Sequence, residues 1–127
     1  MLEKDPFNLK KRIDFCLTLK GAVETFPFGE NFHVMRVGEK MFALIHYKEG
    51  QLLVSAKCEP DKAERLREEY KAIIPGYHLN KTHWISVVTT QDQQIDFELE
   101  KAILTNSYQL VLSKLSKRNK PKFAVSS

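Results

Sequence analysis

The chain has 127 residues, a length that suits one domain with one core. Hydrophobic residues make up 43% and charged residues 28%, an ordinary globular balance, and the longest apolar run, "MFALIHY", is far short of the ~20 residues a membrane helix requires. The net charge of +4 is placed unevenly: Lys114, Lys117, Arg118, Lys120 and Lys122 carry positive charge near the C-terminus, and without them 15 basic residues face 16 acidic ones, so the body of the chain is close to neutral.

The first stretch, "MLEKDPFNLKKRIDF", is charged throughout and lacks the apolar centre of a signal peptide. The expected location is therefore cytoplasmic. Residues 8–19 place Leu9, Ile13, Cys16 and Leu17 at helical spacing, with Asn8 as N-cap and Gly21 as stop. "FPFG", Phe26 to Gly29, breaks regular structure, because Pro27 drives Phe26 extended and Gly29 permits a turn. Three strands are predicted next, over 32–37, 40–47 and 51–57. The short turns "GEK" and "KEG" join them into an antiparallel meander. A second helix runs from Pro60 to Tyr70, with Pro in its first turn and Asp61 and Glu64 near its positive end. Ala63, Leu66 and Tyr70 line its inner face, and Ile73 extends that stripe.

"IIPG" ends this helix. "WISVVTT" (84–90) reads as a strand from its β-branched residues, and "YHLN" before it is a candidate short strand, paired through a turn at Asn80-Lys81. A polar loop, "QDQQ", leads to a last helix capped by Asp96 and running to Leu115. Its stripe is Leu99, Ile103, Leu110 and Val111. The order helix, three strands, helix, two strands, helix points to an α+β fold with helices laid on an antiparallel sheet. It forms a single domain over 1–117, followed by a loose basic tail over 118–127.

Chemistry-bearing residues are sparse. Cys16 and Cys58 read as reduced thiols in or near the core. His78 and His83 are five apart, a spacing that does not match a zinc pair on one helix. There is no nucleophile elbow and no phosphate loop. The carboxylate pairs Glu68/Glu69 and Asp96/Glu98 fall on solvated helix surface or caps. The expectation is no catalytic residue, no metal and no cofactor. Nucleic acid has better material. Lys81, His83 and Trp84 put a cation, a titratable ring and a stacking ring within four residues, and Arg36, Lys40, Lys48 and Lys57 decorate the meander. Glu39 and Glu49 at the hairpin tips oppose this by repelling phosphate. Core packing is the preferred reading of a lone Trp84 that starts a strand, and turn chemistry explains Tyr77, Asn80 and Lys81.

The segments "GAVETFPFGENFHVMRVGEKMFALI", "LLVSAKCEP", "IPGYHLNKTHWISV" and "SYQLVLSKL" occur in an order that resembles the YjbR/MmcQ family of small bacterial proteins. Within them "PGYHLNK-x-HW" is the most specific part. Glu39-Lys40 stands where that family commonly has Gly-Lys. Ile85-Ser86 stands where Asn-Thr is more frequent, which leaves no family basis for a polar role at Ser86. The resemblance implies a secretion-chaperone-like α+β sandwich, also described as a double wing. By fold analogy it also implies DNA as a partner, and it brings no enzyme activity. On this reading Lys57 and Lys81 contact phosphates, His83 and Trp84 assist, and Lys117 and Arg118 add nonspecific attraction. The alternative is a module for a small acidic ligand or a protein partner, held between the "PFG" loop and the "YHLNK" turn by Phe28, Tyr77, His78, Asn80 and Trp84.

Overall fold

The structure, a computed structural model, describes residues 4–115. Lys117, Arg118 and the basic tail lie outside them. The element order is α1 (Leu9–Leu17), β1 (Ala22–Thr25), β2 (His33–Val37), β3 (Lys40–Lys48), β4 (Gln51–Lys57), α2 (Pro60–Glu69), β5 (Ile73–Pro75), β6 (Trp84–Thr89) and α3 (Phe97–Ser113). The six strands form one antiparallel sheet in the order β1-β2-β3-β4-β6-β5. The α+β class and the central meander are as the sequence indicates. Two strands differ from expectation. Ala22–Thr25 forms an edge strand against β2 where no strand is predicted, because four residues are too few to show a period. Ile73 belongs to β5 and not to the second helix. "YHLN" is a turn, since Gly76 packs too tightly and His78 sits at φ 60, a left-handed conformation that ends strand pairing.

Strand alternation gives the sheet two unlike faces. On one, Met35, Ala43, Ile45, Val54, Ala56, Ile85 and Val87 join Ile13 and Cys16 of α1, Ala63 of α2 and Ile103, Leu104 and Val111 of α3 in the main core. A register shift at Met35/Arg36 lets Phe42 join the same side as Ala43. Ser107 of α3 pins the layers, its hydroxyl donating to the Phe42 carbonyl at 2.6 Å and accepting the Lys57 N–H at 2.8 Å. The opposite face buries Val34, Leu44, His46, Leu53, Ser55 and Ser86, but among the described residues no helix lies over them.

The N-terminal end of α1 is set by Asp5 and Asn8. Asp5 accepts the Leu9 and Lys10 N–H groups, and Asn8 accepts that of Lys11. The stripe predicted for this helix is corrected at two positions. Leu17 is 44% exposed, and Arg12 is buried at 8%. Arg12 reaches α3, where its Nε and Nη2 donate to both oxygens of the fully buried Glu100 at 2.8 Å each, while Nη1 donates to the Phe7 carbonyl at 2.8 Å. The pair is bidentate and hydrogen-bonded all round, the condition under which a buried charge pair is tolerated. Asp96 occupies the N-cap position of α3, with its carbonyl accepting the Glu100 N–H, but its side chain makes no capping bond.

Removing one partner strands the other charge in the core. Arg12→Met is expected to lower urea-unfolding stability by about 3–5 kcal/mol, and the double variant Arg12→Met/Glu100→Leu to recover most of that loss. Equal losses in the single and double variants would show that Arg12 matters through packing alone.

Candidate functional site

The uncovered sheet face is closed by two segments. Residues 26–32 come from one side, and residues 76–83, between β5 and β6, come from the other. The second segment is built almost entirely from the quoted signature. Gly76 donates its N–H to the Trp84 carbonyl at 2.8 Å, and a Cβ placed on it would sit 2.7 Å from the Trp84 Cβ, so only glycine fits that approach. The Tyr77 N–H donates to Ser86 Oγ at 2.9 Å, and Ser86 Oγ is 2.6 Å from Ser55 Oγ. Both serines are fully buried on β6 and β4. Ser86 thus has the polar role that a departure from the family pattern gave no reason to expect. Asn80 Oδ1 accepts the Thr82 and His83 N–H groups at 2.9 and 3.0 Å, an Asx turn. Lys81 Nζ donates to the Gly76 carbonyl at 2.9 Å and closes the loop on itself.

Between the two segments lies a cavity of about 480 Å³, lined by Phe28, Phe32, Leu44, His46, Lys48, Tyr77, His78 and Leu79, with Tyr47 at its edge. His46 forms its floor. Its ring centroid lies 5.0 Å from that of Phe32 and 6.3 Å from that of Tyr77, and Tyr77 in turn is 4.1 Å from His78. Burial pushes the His46 imidazole below its ordinary range. The nearby charges of His78 and Lys48 act in the same sense, and the Tyr47 carbonyl opposes them. At the rim the Lys48 ammonium lies 5.6 Å from the Tyr77 ring centroid. A hydrogen bond with Tyr77 and the charge of Glu49 hold it above the usual lysine value.

The residues expected to meet a small ligand are therefore only partly together. Phe28, Tyr77 and His78 line this cavity. Asn80 does not, because its side-chain oxygen is spent on the Asx turn. Trp84 does not either, since it points to a second cleft near the ends of β3, β4 and α3. That cleft, about 360 Å³, is lined by Glu39, Lys40, Met41, Lys57, Trp84, Val111 and Lys114. There the Lys57 ammonium is pushed below its ordinary value by desolvation and then by the charges of Lys114 and Lys40. Of the cations expected to form one basic face, Lys57 keeps Trp84 nearby, whereas Lys81 is tied to Gly76. His83 is exposed, its N–H bonded to Asn80 and its carbonyl to the Cys58 N–H.

Cys16 and Cys58 are both free and buried, and burial pushes the Cys16 thiol up to about 12, far from a reactive thiolate. Among the described residues no group of three or more His, Cys, Asp or Glu side chains gathers as a metal ligand set, and no helix is long and apolar enough to cross a membrane.

The YjbR family model matches residues 17–110, which takes in both loop segments and every strand. The chain belongs to the YjbR family. YbdF of Escherichia coli O157:H7 is 36% identical over 94 residues, covering 74% of this chain and 75% of its own length. YjbR of Escherichia coli K12 is 29% identical over 80 residues, covering 63% and 68%. Both are described as uncharacterised. Among solved structures, Deinococcus radiodurans DR2400, a DUF419 domain, superposes with a TM-score of 0.77 at 36% identity over 87% of this chain and 83% of its own. A Pseudomonas syringae protein superposes with a TM-score of 0.71 at 23% identity, over 82% and 98%, a likeness of fold. None of these descriptions names an activity.

Two outcomes test this geometry. Gly76→Ala is expected to cost about 1–3 kcal/mol in chemical unfolding through the forced approach to Trp84. A cost near zero would mean that the turn does not bear on β6. His46 gives a pH signature. A base whose folded value is depressed contributes stability that is fully present above the ordinary value of ~6.5 and is lost as pH falls through the folded value. The melting temperature of the native chain should drop more steeply between about pH 7 and about pH 5 than that of His46→Phe. Parallel curves would place the acid sensitivity elsewhere.

Proposed function

We propose that this YjbR-family chain is a non-enzymatic binding module whose ligand sits in the cavity between the "PFG" loop and the "YHLNK" turn. One observation carries the reading. Aromatic side chains from three separate segments, Phe28 and Phe32, His46, and Tyr77, converge on an open hollow whose floor is a buried sheet. A stable fold needs no such hollow, and a concave, mostly apolar site with a few polar groups at its edge is the common form of a small-molecule pocket. Phe28 is 63% exposed, an exposure that a ligand would cover.

A second reading has its own support. Lys40, Lys57 and Lys114 gather around the cleft beside Trp84, and among the described residues none of the three is in an ion pair. Lysines gathered without an ion pair favour an anion, and a phosphate backbone with a base stacked on Trp84 matches that arrangement. Glu39 in the same cleft weakens it. The cavity reading stands first because its residues come together more completely.

A thermal-shift screen of small ring-bearing compounds with the native chain and Tyr77→Ala separates the two readings. The substitution leaves the Tyr77 N–H bond to Ser86 in place. A ligand at 100 times its dissociation constant should stabilise the native chain by about 2.7 kcal/mol, and Tyr77→Ala by much less. No saturable stabilisation, or equal stabilisation of both proteins, would remove the cavity reading. For nucleic acid, a mobility shift at low salt should weaken in Lys57→Ala, with the salt slope falling by about 1. Unchanged binding would remove that reading.

A further inference from the structure

We infer that the ligand of the cavity is a flat aromatic acid carrying a single negative charge, an inference that rests on the cavity reading above. The lining decides the class. Its polar side chains are the two imidazoles, the Tyr77 hydroxyl and Lys48, and no carboxylate is among them; the Tyr47 hydroxyl is spent elsewhere, on Asp5 and the Phe7 N–H. With Lys48 charged, the lining is therefore positive at every protonation state of its histidines.

Each polar group can be assigned a part. His46 is buried and held neutral by that burial, so it presents a flat ring rather than a charge. Lys48 keeps its charge. Its carboxylate partner, Glu49, is 3.5 Å away and 82% exposed on its side chain, and an ion pair so open to water is worth little. An anion entering the cavity can displace Glu49 at small cost and gain the ammonium in a drier setting. The Lys48 ammonium lies 5.6 Å from the Tyr77 ring centroid, which sets its charge at the mouth of the cavity.

The rings set the shape. Tyr77 and His78 lie against each other at 4.1 Å, and Phe32 and His46 at 5.0 Å, so two aromatic pairs flank the hollow. Offset stacking and edge contacts between such rings and a planar guest exceed what an aliphatic chain of equal area gains. A volume of about 480 Å³ holds one or two fused rings with room for a carboxylate. One ammonium matches one negative charge. A di- or triphosphate would leave most of its charge unpaired there and suits the Lys40–Lys57–Lys114 cleft better.

The test is calorimetric titration with 2-naphthoate, its neutral isostere 2-naphthalenemethanol, and octanoate, which has the charge without the ring. 2-Naphthoate is expected to bind about tenfold more tightly than either of the others. Lys48→Met, a half-buried position near the hairpin tip, should remove most of that advantage while leaving the alcohol's affinity unchanged. Equal affinity for acid and alcohol, or no effect of Lys48→Met, would overturn the assignment of charge. Octanoate binding as well as 2-naphthoate would overturn the assignment of shape. In each of these cases the cavity itself survives, provided that binding is still lost in Tyr77→Ala. If none of the probes binds but another compound stabilises the native chain through Tyr77, this inference alone fails. If nothing does, the cavity reading fails with it.

Discussion

The three helices among the described residues all pack on one face of the sheet, and that one-sidedness governs everything on the other. A six-stranded sheet with an apolar second face cannot leave it in water, yet among the described residues no helix covers Val34, Leu44, Leu53 and the residues between them. Irregular chain has to do the work. Residues 26–32 bring Phe28 and Phe32, and residues 76–83 bring Tyr77 and Leu79. Two short loops cannot tile a surface as continuously as helices do, and where they fail to meet, a hollow opens above His46. The arrangement depends on the helical side staying fixed, which is the part played by the buried pair of Arg12 and Glu100 between α1 and α3.

The polar residues of the 76–83 segment serve the scaffold first. Loops over a sheet carry backbone groups that must find partners. Here the partners are the paired hydroxyls of Ser55 and Ser86, the amide oxygen of Asn80 and the ammonium of Lys81. A cation and an amide in a compact motif look like ligand-binding groups when read along the chain. In space they are already occupied, and the aromatic side chains between them, Tyr77 and His78, are what they hold out toward the cavity.

The sequence displays the meander, the final strand and all three helices, because each has a sustained period or a clear boundary residue. It does not display β1 or β5, which are three or four residues long and owe their existence to neighbours already in place. Arg12 and Glu100 are invisible for a different reason. Each lies in a charged amphipathic helix, and only the closure of one helix onto the other turns two surface-looking charges into a buried pair. The cavity's position between the two loops is legible, since "PFG" and "YHLNK" are the irregular segments with aromatic residues. Its membership is less so. Trp84 ends the same motif, but it opens β6 opposite Lys57 at the very end of the ladder, where both side chains line the second cleft. Leu44, His46 and Lys48 enter from β3, and their spacing of two along one strand, read together with the aromatic loops, is the signal that could have found them.

The electrostatics of the two hollows also differ in kind. One is aromatic with a single rim ammonium, and the other holds several lysines that repel one another. Backbone amide shifts of isotope-labelled protein, followed by NMR during titration with 2-naphthoate, distinguish them residue by residue. Saturable changes confined to Phe26–Phe32, Leu44–Lys48 and Gly76–Leu79 are the expected result. Changes centred on Lys40, Lys57, Trp84 and Lys114, or no saturable change anywhere, would contradict the assignment of function to the face that the helices leave open.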